Sequence, residues 1–196
     1  MKLTFFTFFT ALALMSCESS DNDPDQYLIS TDAVIKIENN ETDFSVGETI
    51  FIETNILNQQ TTDDGQEILL SDFIAQGISP NSYSYSLAMF KIDENENLSR
   101  VTLTEDIIEI IEGEAEINNG HLIIKSFLKE SAFYSKIGIK LSQPGTNLLS
   151  SKFYECNPEE DTIIISSGSP ELGYVGIKTY LSNIEGENAY KFKVTN

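Results

Sequence analysis

The stretch "EAEINNGHLIIKSFL", residues 114–128, decides the fold class of this chain. Asn119-Gly120 stands between two runs of β-type composition. That pair tolerates the positive φ angles of a two-residue hairpin turn, because glycine has no Cβ and asparagine is among the least penalised residues there. The spacing predicts two antiparallel strands meeting at residues 119–120. On both sides of this hairpin the same pattern recurs as short apolar-alternating runs divided by turn chemistry.

Upstream, "AVIKI" (33–37) alternates, and "TIFIETNIL" (49–57) follows a "SVGE" turn at 45–48. "SYSYSLAMFKI" (82–92) places Tyr83, Tyr85, Leu87 and Met89 on one face and mostly serine on the other. "DENEN" (93–97) joins it to "LSRVTLT" (98–104) as a hairpin. Downstream come "YSKIGIKL" (134–141), closed by Gln143-Pro144-Gly145, then "LLSSKFYE" (148–155), "TIIIS" (162–166), "YVGIKTYL" (174–181) and "AYKFKV" (189–194). Two segments are candidates for helical turns, "EILLSDFIAQG" (67–77) and "EDIIEIIEG" (105–113), the second equally readable as strand. Many short strands at close spacing predict an all-β, antiparallel β-sandwich whose Ile, Leu and Phe faces meet between the sheets. The layout resembles the immunoglobulin-like domains, although the chain has no tryptophan and lacks their Cys…Trp…Cys core.

The 196 residues suffice for one domain with a sizeable core, and 40% hydrophobic with 22% charged residues is ordinary globular usage. One domain over residues 28–196 is expected, with two half-size sandwiches divided near residues 105–113 as the alternative. The charge is far from ordinary. Against 12 basic residues stand 31 acidic ones, a net charge of -19. Phosphate contacts need Lys and Arg, so no nucleic-acid partner is expected.

The N-terminus carries a separate message. Lys2 is followed by "LTFFTFFTALAL" (3–14), a basic start and an apolar run that predict a secretory signal over residues 1–16. A helix of about 12 residues covers about 18 Å, too little for a hydrocarbon core about 30 Å thick. The run ends Leu14-Met15-Ser16-Cys17, which resembles the lipobox of bacterial lipoproteins, with Met15 departing from the usual Ala or Ser. The resemblance implies a diacylglyceryl group on the Cys17 thiol, cleavage before Cys17 and acylation of the new amine. It implies a membrane partner through that lipid anchor. The serine-and-aspartate stretch after Cys17 resembles the tethers of Gram-negative lipoproteins, and Glu18 rather than Asp follows the cysteine, which together imply an outer-membrane location, with either leaflet open and the surface slightly favoured. Residues 17–27 then read as the lipidated cysteine and a flexible acidic tether. "ESSDNDPDQ" (18–26) has no apolar residue to order it and spans at most about 30 Å.

Catalytic constellations are sparse. His121 is the only histidine, and it flanks the Asn-Gly turn; a triad or zinc site needs partners at suitable spacing. Cys156 sits among Glu155, Glu159, Glu160 and Asp161, which oppose a thiolate. With Cys17 lipidated it has no partner within the chain. Asp21, Asp23 and Asp25, and likewise Asp93, Asn95 and Asn97, alternate like the start of a calcium loop. Neither has the loop's sixth-position glycine or its twelfth-position glutamate, those slots holding Gln26 and Asp32 in the first run and Leu98 and Thr104 in the second, which leaves a tether and a solvated hairpin loop with oxygen ligands for loose cation binding. Tyr83 and Tyr85 continue the Leu87–Met89 face, which assigns them to the core rather than to a sugar platform. "NET" (40–42) and "NLS" (97–99) match the glycosylation sequon without weight in a bacterial lipoprotein. No cofactor, metal site or catalytic residue is expected. The expected role is a non-enzymatic module binding an envelope protein or a glycan. A carboxylate-dependent glycan hydrolase and a purely structural envelope protein are the alternatives.

Overall fold

A computed structural model of the chain describes residues 25–32, 34–74, 81–151, 162–169, 171–185 and 187–196. Among these, sixteen strands follow in order: β1 (Gln26–Ser30), β2 (Ile35–Ile37), β3 (Asp43–Ser45), β4 (Thr49–Leu57), β5 (Gln59–Thr61), β6 (Glu67–Leu69), β7 (Ser82–Ile92), β8 (Leu98–Val101), β9 (Ile108–Glu112), β10 (Glu114–Asn118), β11 (His121–Lys129), β12 (Ala132–Lys140), β13 (Gly145–Ser151), β14 (Ile163–Ser169), β15 (Gly173–Thr179) and β16 (Tyr190–Thr195). Three single 3₁₀ turns, Glu38–Asn40, Leu70–Phe73 and Glu105–Ile107, complete the inventory. The all-β architecture expected from the alternation is the one observed.

The Asn-Gly hairpin forms as read. Asn118 pairs with His121 in the β10–β11 ladder, and both turn residues take positive φ, 51° at Asn119 and 76° at Gly120. Such a turn matches the right-handed twist of its strands. The organising strand is β7. Its first half pairs with β11 on one side, and Ser84 meets Ser166 of β14 on the other. Its second half pairs with β8 and β13. Beyond these neighbours the sheet continues through β15 to β1, and through β16 to β3. The β1–β15 and β16–β3 contacts are parallel; the other pairings are antiparallel.

The β11–β12 hairpin folds this sheet over, so that β12, β4 and β2 lie against the inner face of β7. Contacts across the sandwich show the facing: the Tyr83 and Phe133 rings meet edge-on at 4.7 Å, and the Tyr85 hydroxyl lies 2.5 Å from Thr54 Oγ1. Tyr83, Tyr85, Leu87 and Met89 are all buried, the core face their period-two spacing predicts. They join a cluster that draws on residues from Ile29 to Val194. A buried side chain of this size stabilises the fold by about 1.5–3 kcal/mol relative to exposure. On the opposite face Ser84 and Ser86 are half-exposed, but Ala88 and Phe90 are buried in a second small cluster with Leu148 and Ala189. The second half of β7 is therefore covered on both faces.

Past their shared tip, β11 and β12 diverge toward opposite layers, and β9 and β10 fill the fork, β9 on β12 and β10 on β11. Gly113 sits at the crotch with φ +90°; a Cβ there would lie 2.7 Å from both the Lys125 carbonyl oxygen and Ser135 Cβ. This wedge is why residues 105–113 are one 3₁₀ turn and then a strand rather than helix. Similarly, residues 67–73 give β6 and a 3₁₀ turn. Strands β3, β5 and β6 have only three residues each, too few to show a period. Strand β1 begins at Gln26, inside the stretch expected as spacer, because the Asp25 carbonyl oxygen accepts the Tyr174 N–H at 2.7 Å. The signal segment 1–16, Cys17 and Cys156 lie outside the described residues.

Candidate functional site

A cleft of about 540 Å³ opens where the edge of β2 faces the chain leaving β15. One wall is β2 with the turn behind it: Ile35, Lys36, Ile37, Glu38, Asn39 and Asn40. The other is Tyr180, Leu181 and Ser182 with Tyr190, while Asp32 and Glu53 stand at the rim. The volume falls in the range of small-molecule and peptide sites.

Both walls are fixed by hydrogen bonds that the sequence supplies locally. Behind β2 the chain turns through two consecutive left-handed residues, Asn39 (φ 56°) and Asn40 (φ 52°), which asparagine accepts more readily than bulky residues. The Tyr190 hydroxyl donates to Asn40 Oδ1 at 3.0 Å and lies 3.2 Å from the Glu41 carbonyl oxygen, tying this turn to β16. Burial pushes the Tyr190 phenol up to about 12, with the Glu41 charge adding to the effect. Lys136 reaches Glu38 Oε1 at 2.5 Å and Glu53 Oε1 at 3.1 Å, and its Nζ lies 5.3 Å from the centre of the Phe51 ring. These two carboxylates raise the Lys136 pKa, through hydrogen bonding first.

The far wall is held by Asn183, whose side chain imitates a strand. Its Nδ2 donates to the Lys191 carbonyl at 2.7 Å and its Oδ1 accepts the Lys191 N–H at 2.9 Å. Ser182 Oγ donates to the Ile184 carbonyl at 2.8 Å and closes the loop on itself. Tyr180 projects from this wall with 40% of its surface exposed.

The ladder register fixes what β2 offers the cleft. Ile35 pairs with Thr54 and Lys36 with Glu53, and the Asn55 N–H bonds the Val34 carbonyl at 2.9 Å. In an antiparallel pair, bonded and non-bonded positions alternate. Lys36 therefore turns its N–H and C=O toward β4, and Ile35 and Ile37 turn theirs away from it, toward the cleft. The Ile35 and Ile37 side chains remain in the core.

The residues singled out in the sequence lie elsewhere. Tyr83 and Tyr85 are core: the Tyr83 hydroxyl donates to the Leu70 carbonyl at 3.0 Å, and burial raises both phenols. His121 is half-buried beside the hairpin turn, its Nε2 at 3.1 Å from Arg100 Nη1. Asp93 spends its carboxylate on its own turn. Its Oδ1 accepts the Asn95 and Asn97 N–H groups at 2.8 Å each, and Oδ2 accepts Asn97 Nδ2 at 2.9 Å, bonds that lower its pKa, the Asn97 side chain foremost. Of the acidic alternation at Asp21, Asp23 and Asp25, only Asp25 is described; it lies beside Asp63 and Asp64 in a second, acidic hollow at the start of β1. A Thr62 hydroxyl hydrogen bond lowers the Asp64 pKa. Among the described residues, no three or more His, Cys, Asp or Glu side chains gather as metal ligands.

Sequence reasoning missed the cleft, whose walls, residues 35–40 and residues 180–190, are 140 or more positions apart in the chain. Its only local signals were the Asn39-Asn40 doublet and the brevity of β2. In comparison with known proteins, the chain matches no family model and no curated protein.

Proposed function

We propose that this protein is a lipid-anchored, non-enzymatic module of the bacterial outer membrane that presents its cleft to a partner away from the bilayer. The lipobox-like Leu14-Met15-Ser16-Cys17 supplies the anchor in this reading, and residues 18–24 supply the acidic spacer. Two or more acyl chains on one cysteine give stable attachment, because each buried CH₂ contributes about 0.8 kcal/mol.

One structural observation supports the presentation. Strands β1 and β15 run parallel, with Gln26 beside Tyr174 and Ser30 beside Lys178. The spacer joins at the Gln26–Tyr174 end. The cleft lies past the other end, at Asp32 and Tyr180. Six residues at about 3.3 Å each separate Tyr174 from Tyr180, so about 20 Å of sandwich stands between anchor and cleft.

The test replaces Cys17 by Ser and places a photo-crosslinker at Tyr180 in otherwise native cells. The reading expects the Cys17→Ser protein to leave the membrane fraction, and the Tyr180 crosslinker to capture a protein or glycan rather than phospholipid. A membrane-bound Cys17→Ser protein, or crosslinks chiefly to phospholipid, would contradict it.

A further inference from the structure

We infer that the cleft is a strand-docking site: it takes an extended, basic polypeptide segment that pairs with the open edge of β2. This inference rests on the partner-binding reading above and names the chemistry of the partner.

The decisive feature is the alternation established by the register. Ile35 and Ile37 each aim one N–H and one C=O away from β4, two residues apart and about 7 Å along the strand. Among the described residues neither isoleucine has a hydrogen-bond partner on that side. Two donors and two acceptors on one line at that repeat match the backbone of another strand, and strand addition at a sheet edge is an established way of binding peptides.

Natural proteins keep edges short or covered to avoid indiscriminate pairing. Strand β2 is short, and it opens onto a walled cleft rather than a flat surface. The opposite wall is fixed before any partner arrives, by Asn183 to Lys191 and by Tyr190 to Asn40. Tyr180 gives that wall an exposed ring for a side chain of the incoming strand. Preorganised walls reduce the ordering that binding must impose.

Charge selects the sign of the segment. Asp32, Glu38 and Glu53 line the cleft against Lys36, with Lys136 behind the last two carboxylates. The whole chain carries -19, which steers cations toward it at a distance. A basic segment is attracted; an acidic one is repelled.

The experiment uses the purified full-length mature protein in detergent micelles, so the outcome stands whether or not Cys17 bears lipid. The probes are a fluorescent octapeptide of alternating Thr and Lys, its fully backbone-N-methylated form, and the Thr-Glu version. Saturable binding of the Thr-Lys peptide is expected, with affinity at least about tenfold lower after N-methylation, since deleting donors removes edge hydrogen bonds. The Thr-Glu version should bind at least about tenfold more weakly at low salt. Amide NMR signals of Ile35 and Ile37 should shift on titration, and Tyr180→Ala, a change on the surface, should weaken binding several-fold with unchanged folding. Equal affinity for the N-methylated peptide, chemical-shift changes confined to other residues, or saturable binding of a glycan panel with none of the peptide would overturn the inference.

Discussion

The Tyr190 hydroxyl donates to the Asn40 side chain at 3.0 Å, across 150 positions of sequence. This single contact joins the last strand to the left-handed turn that ends β2, and it holds one end of the cleft. Tyr190→Phe removes it together with the contact to the Glu41 carbonyl. Losing this one shared hydroxyl proton and leaving its acceptors unpaired costs about 1–2 kcal/mol. The variant should lower the unfolding free energy by that amount in urea denaturation and speed hydrogen exchange at the amides of residues 39–41. Unchanged exchange there would show that the turn stands without Tyr190.

Alkaline titration gives a second prediction. Burial raises the phenols of Tyr83, Tyr85 and Tyr190 above the ordinary value of 10.0, Tyr190 to about 12. Between pH 10 and 12 the unfolded chain loses these protons while the folded one keeps them. The unfolded state then binds fewer protons, so stability is fully present below pH 10 and falls as pH rises toward 12. Of the eight tyrosines, these three should ionise together with the loss of circular-dichroism structure. Phenolate absorbance that grows smoothly for all eight with the fold intact would contradict the burial.

Gly113 tests the forked sheet. Its φ of +90° and the 2.7 Å approaches to Lys125 O and Ser135 Cβ leave no room for a methyl group. Gly113→Ala should destabilise by roughly 2–4 kcal/mol, combining the backbone and steric penalties. Gly47 has a similar φ of +96° and open space around its Cα, so Gly47→Ala should cost only about 1 kcal/mol. Urea denaturation of the pair separates crowding from conformation. Equal losses would mean that the wedge of β9 and β10 is looser than described.

The buried Thr54–Tyr85 pair predicts a non-additive cycle. Each hydroxyl is the other's partner across the sandwich at 2.5 Å. Thr54→Val strands the Tyr85 hydroxyl in the core, at a cost of about 1–3 kcal/mol. Adding Tyr85→Phe should return most of that loss, because a pair replaced by apolar groups leaves nothing unsatisfied. Additive losses in calorimetry would show that water reaches this part of the core.

The strands and the cross-sheet face of β7 were legible in the sequence because a half-buried strand must alternate, as residues 49–57 and 190–195 do with hardly a break. The Asn119-Gly120 turn was legible because few residue pairs accept its φ angles. Residues 105–113 were ambiguous because "IIEIIE" satisfies a helical period as well as a strand; the fork between β11 and β12 decides it, and that is a long-range fact. The double burial of Ala88 and Phe90 was hidden for the same reason, since it depends on where β13 and β16 lie. The cleft was the least legible. Its donors are backbone groups of Ile35 and Ile37, whose direction follows from a ladder register and not from side-chain type.

The most direct test of the whole account is intact-mass analysis of the mature protein isolated from its native membrane. The account predicts a chain that lacks residues 1–16 and begins at a Cys17 bearing a diacylglyceryl thioether, with an N-acyl chain beside it. A mature chain that begins elsewhere, or a Cys17 with a free thiol, would contradict it.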